Sequence, residues 1–118
     1  MTSLTKEQIR NCKGWLFDEV EVPEWGGIVR LRALTVAERL QLAAETRGES
    51  LTGDAAFRFF ARVIMLSVVD QAGERVFDPA TDYELLTQKT WGTLESLADR
   101  IMAFNGMKQA SAGELEKN

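Results

Sequence analysis

The chain has 118 residues, 45% hydrophobic and 27% charged, with 14 Lys and Arg against 18 Asp and Glu for a net charge of -4. That usage excludes disorder, which needs low hydrophobicity and high net charge, and supplies no basic footprint for nucleic acid. With no His, a single Cys and no run of about eighteen apolar residues, it offers no His-based catalytic group, no internal disulfide and no membrane-spanning helix. A domain of this length buries about two-thirds of the surface its unfolded chain exposes, so one core suffices without a metal or disulfide staple. The opening MTSLTKEQIR lacks a signal peptide's apolar segment, and the expectation is a cytosolic protein.

In chain order, Thr2 to Asn11 is polar with Leu4 and Ile9 interspersed, and Thr5 or Ser3 is placed to cap a short helix over Lys6 to Arg10. Cys12 has neither a His to act as base nor a second Cys, which predicts a buried or half-buried structural thiol rather than a nucleophile. From Trp15 to Leu34 the period turns from helical to alternating. Leu16 to Val22 and Ile28 to Leu34 flank Pro23-Glu24-Trp25-Gly26-Gly27, the signature of a β-hairpin over about 15–34. A turn centred on Trp25 and Gly26 sets Val22 against Val29 and Val20 against Leu31 on one face, and Glu21 against Arg30 and Glu19 against Arg32 on the other. Centring on Gly26 and Gly27 keeps the faces and shifts the partners. The first face is expected to dock on a helical core and the second to carry ion pairs in solvent.

Asp18, Glu19, Glu21 and Glu24 invite a reading as a metal or acid/base cluster. Alternation divides them between two faces and Arg30 and Arg32 neutralise part of the set, so a solvated, paired sheet face is preferred and no metal is predicted. Trp25 stands apart, because a large aromatic at a turn tip lies beyond the hairpin's own core face. It either folds back on a neighbouring helix or anchors a contact, since Trp is enriched at binding hot spots. The candidate partner-binding residues are therefore Trp25, Glu24, Arg30 and Arg32.

Thr35-Val36-Ala37-Glu38 is a capping box that starts a helix over about 35–47, with Val36, Leu40 and Ala43 as its apolar face and Arg47-Gly48 as its stop. After a short connection, Thr52 or Asp54 caps the central helix, about 54–69. Phe57, Phe60, Ala61, Ile64 and Val68 form one stripe there and Phe59, Val63 and Leu66 a second, so nearly the whole circumference needs burial and only Arg58 and Arg62 keep a wet edge. A Gly73 turn and a brief extended segment to Phe77 follow, pairing as a minor hairpin with the residues before Asp70. Asp78-Pro79 predicts a short helix over about 79–88 with Tyr83, Leu86 and Leu85 inward. Thr90 opens a last helix, about 90–104, whose Trp91, Leu94, Leu97, Ala98, Ile101 and Phe104 form a third stripe closed by Asn105-Gly106. The polar residues 107–118 are expected to form a weakly structured tail. The fold class is mainly α within α+β: a β-hairpin packed on a small bundle of about four helices, one globular domain over 1–106.

The order Val22-Pro23-Glu24-Trp25-Gly26-Gly27, Arg30, Leu34-Thr35-x-x-Glu38-Arg39, Leu66-Ser67-Val68-Val69-Asp70 with Gly73 and Phe77, Asn105-Gly106 and Glu116-Lys117-Asn118 resembles the small tail assembly chaperones of long-tailed bacteriophages and prophages. The resemblance covers most of the chain and lies in the joint order rather than in any one motif. It implies a non-catalytic protein that binds the tape measure protein and recruits tail tube subunits in the host cytoplasm, self-associates, and is absent from the finished virion. It also implies a longer form made by ribosomal frameshift, for which Glu-Lys-Asn is one of the tripeptides a slippery run can encode. No catalytic residue, cofactor, nucleic acid or membrane partner is implied. An acidic regulatory adaptor or inhibitor of a prophage fits the composition equally, and a reading frame lying between tail tube and tape measure genes would decide between the two.

Overall fold

The computed structural model describes residues 3–48 and 52–107. The elements run α1 (Lys6–Asn11), β1 (Phe17–Val22), a single 3-10 turn (Pro23–Trp25), β2 (Gly27–Arg32), α2 (Val36–Thr46), α3 (Gly53–Ser67), β3 (Val68–Val69), α4 (Tyr83–Thr87) and α5 (Trp91–Phe104). The fold is α+β and mainly helical, with an antiparallel three-stranded sheet in the order β1-β2-β3 lying against the helices. The expected tail lies outside the described residues from 108 onward, as do residues 49–51 of the connection before α3.

The central helix is α3, preceded by Thr52 as N-cap. Phe59, Phe60, Ala61, Val63, Ile64, Met65 and Leu66 are all buried, with α5 packed along one side of the helix and α2 along another. Phe57 is half-buried, and Arg62, its side chain only 16% exposed, pairs with Glu45 of α2 at 3.0 Å instead of keeping a wet edge. On α5, Leu94, Leu97, Ala98 and Ile101 face α3, whereas Trp91 remains 47% exposed while meeting Phe60 edge to face. The end of α5 is a double hydrogen-bonded stop: Gly106 N–H donates to Ala103 and Met107 N–H to Met102, with Gly106 at φ 69°. Asn105 there accepts the Leu34 N–H on Oδ1 at 2.7 Å and so ties the hairpin's exit to the last helix.

The hairpin keeps the expected faces with a different register. Val20 pairs with Val29, Glu19 with Arg30, Glu21 with Ile28 and Phe17 with Arg32, a slip of two residues. The cause is the turn: Pro23, Glu24, Trp25 and Gly26 form a four-residue loop, Gly26 N–H donating to Pro23 C=O and Gly26 standing at φ 79°. The ion-paired outer face is also corrected. Arg30 lies over the Phe17 ring at 4.2 Å and Arg32 over the Trp15 ring at 4.7 Å, because Arg30, opposite Glu19, leans diagonally onto Phe17, and Arg32, opposite Phe17, onto Trp15 just before β1.

Further expectations change. On α2 the stripe Val36, Leu40, Ala43 faces solvent, Val36 at 76% and Leu40 at 66% exposure, and Leu42 is the buried residue. Glu38, four residues before Leu42, is drawn inward by Arg32 and Arg75 and sets the helix's rotation. The residues before Asp70 do pair with the segment after it, through a Val69–Arg75 bridge, but Val68 and Val69 also form a third strand on β2. At Asp78-Pro79 the chain makes a turn held by Asp78 Oδ1 on the Ala80 N–H, so α4 begins only at Tyr83, and Leu85 is exposed. Cys12 is exposed, since it follows α1, a helix that buries none of its residues.

Candidate partner-binding surface

The hairpin loop carries Trp25 onto the edge of the core, where it is half-buried, with the Lys89 ammonium 5.9 Å from its ring centroid. Glu24, beside it, accepts from the Thr93 hydroxyl of α5 at 2.8 Å. Its carboxyl is held below the ordinary value first by its own backbone N–H and then by Thr93. Trp25 thus packs against the edge of the core while part of its ring stays exposed.

Near Lys89 a groove of about 350 Å³ opens between α3, α4 and α5. Phe57, Leu86, Trp91 and Leu94 line it, with Asp54 and Lys89 at its rim. Such an apolar floor with few charges is the shape that accepts a partner's anchoring side chain. Sequence reasoning missed it, although Trp91 at the first position of an amphipathic helix is the signal that could have found it. A second groove, about 390 Å³, lies between α2 and α3 with Arg58, Arg62, Glu45 and Tyr83 along it, and burial pushes the Tyr83 phenol above its ordinary value.

The four candidate residues do not form one patch. Trp25 and Glu24 sit at the loop, and Arg30 is half-buried on the outer sheet face over the Phe17 ring. Arg32 is buried, its Nη2 reaching both oxygens of Glu38 at 2.6 and 2.5 Å and the Leu66 C=O at 3.4 Å. It serves the fold, not a contact surface. Glu38 gathers the Thr35 N–H, Arg32 and Arg75 on one carboxylate. Burial pushes that carboxyl up, and the Thr35 N–H together with the two guanidiniums more than offsets it, leaving a net depression.

Among the described residues no group of three or more His, Cys, Asp and Glu is placed to hold a metal ion, and no helix is long and apolar enough to cross a membrane. Among solved structures, the chain is similar to the tail assembly chaperone of bacteriophage HK97, with a TM-score of 0.58 and 18% sequence identity over 89% of this chain and 95% of that one. No family model and no curated protein matches the sequence. At that identity the likeness is one of fold.

Proposed function

We propose that the chain is a non-catalytic phage tail assembly chaperone that binds a tape measure protein, recruits tail tube subunits in the bacterial cytoplasm, self-associates, and is left out of the finished virion. The observation that carries this reading is the fold shared with a protein of that kind over nearly the whole of both chains. The ordered turn, cap, core and helix-stop residues of the sequence point the same way. The contact is assigned to Trp25 with Glu24, extended by the groove of Phe57, Leu86, Trp91 and Leu94. Together these provide a half-exposed aromatic beside an apolar hollow with charges at its rim.

The test is affinity co-purification of the tape measure protein encoded in the same genome with the tagged chain and with Trp25→Ala. Capture by the parent that falls at least about tenfold in a variant of unchanged fold supports the reading. Equal capture by both removes Trp25 from the contact, and no capture by the parent removes the tape measure protein as partner.

A further inference from the structure

The order β1-β2-β3 leaves β1 at the edge of the sheet, and the register shows which of its backbone groups are open. Ala33 N–H donates to Leu16 C=O at 2.8 Å, so Leu16 and Ala33 form a hydrogen-bonded pair. Counting along the ladder, Asp18, Val20 and Val22 also direct their N–H and C=O toward β2. Phe17, Glu19 and Glu21 therefore direct theirs away from it, to a side on which no described strand lies. An open edge of this kind is a template for one more strand unless it is blocked by Pro, a bulge or charge. Here β1 has no Pro, and its blocking groups are all of one sign.

The flanks define what fits. On the outer face Glu19 and Glu21 are exposed, and neither is in an ion pair shown for the described residues. On the inner face Asp18 is held by Arg100 of α5 at 3.4 Å, and beyond it Val20 and Val22 border a notch of about 80 Å³ that Glu21, Glu24, Thr93, Ser96 and Leu97 complete. A strand laid on β1 would place alternate side chains beside the two glutamates and the others over that notch, which has room for small side chains only. A second copy of β1 would bring Glu19 and Glu21 against their own like charges, which disfavours self-pairing.

We propose that the open edge of β1 takes an added strand from a partner protein, an extended segment with Lys or Arg at every second residue and small residues between. This rests on the reading of the chain as a protein-binding chaperone and names the chemistry of one segment it would hold. Main-chain hydrogen bonds to Phe17, Glu19 and Glu21 supply affinity, and the two carboxylates select basic over acidic strands.

The experiment measures amide hydrogen exchange of the full chain, alone and with a short capped peptide alternating Lys and Ala, with a Glu and Ala peptide as control. The amides of Phe17, Glu19 and Glu21 should exchange freely in the chain alone and become protected by the Lys peptide only, with affinity falling as salt rises. Glu19→Pro removes an outward N–H without touching the ladder to β2, and should weaken the Lys peptide at least about tenfold. The pair Glu19→Lys and Glu21→Lys keeps the edge open, reverses the charge and should exchange the peptide preference, which keeps the inference testable if the proline variant misfolds. Amides already protected in the isolated chain, equal protection by both peptides, or no protection by the Lys peptide would overturn it. Failure of the tape measure protein to bind would remove the chaperone reading and leave this peptide result standing by itself.

Discussion

Replacing Glu38 by Ala removes the carboxylate on which α2, β2 and the segment after β3 converge. Its side chain is 12% exposed and that of Arg32 7%, so the pair is nearly enclosed, whereas Arg75 at 42% is screened by water. Truncating one partner of an enclosed ion pair costs about 3–5 kcal/mol, because the remaining charge stays desolvated without compensation. The half-exposed Arg75 contact adds about 0–1 kcal/mol. Glu38→Ala should therefore lower stability by about 3–5 kcal/mol, a large share of the roughly 5–15 kcal/mol typical of a domain. Urea unfolding followed by circular dichroism reads this as a fall in midpoint. The double variant Arg32→Met with Glu38→Leu should cost clearly less than the sum of the single changes, since it removes the stranded charge. A Glu38→Ala variant within about 1 kcal/mol of the parent would refute the view that this carboxylate organises the junction.

The same carboxylate sets an acid limit: its folded pKa is depressed, so its contribution is full above the ordinary value near 4.5 and is lost as pH falls below it; Glu38→Gln should flatten that slope in an acid titration of unfolding. Ile64→Asp, at a fully buried position of α3, should cost several kcal/mol through a desolvated or protonated carboxyl, visible as a large drop in Tm. Leu40→Glu should stay within about 0.5 kcal/mol of the parent, because the side chain faces solvent; a large loss would return that stripe to the core. Asn105→Ala should cost about 1–3 kcal/mol in the same unfolding assay by leaving the partly buried Leu34 N–H without its acceptor.

Much of the fold was legible because its signals were local. The two stripes of α3 leave little freedom about burial, Thr35 and Glu38 form the capping box their spacing announces, and alternation fixes the faces of the hairpin. What escaped depended on partners distant in sequence. The rotation of α2 follows Arg32 and Arg75, which lie outside the helix, so its own Val36-Leu40-Ala43 stripe misled. The third strand is only Val68 and Val69, too short to show a period, and reads as the end of an apolar helix. At the surface, Trp25 was visible as an unplaced aromatic, but the hollow formed by Phe57, Leu86, Trp91 and Leu94 exists only once three helices meet. Arg32 looked like an outer-face cation because nothing in β2 itself reveals Glu38 waiting beneath it.

The proposed role, chaperoning a tape measure protein, is tested most directly by that protein's solubility on co-expression. With the chain present, the tape measure protein encoded in the same genome should move from the pellet to the soluble fraction and elute together with the chain. Should it stay in the pellet whether or not the chain is made, or elute apart from the chain when soluble, the assignment would be contradicted.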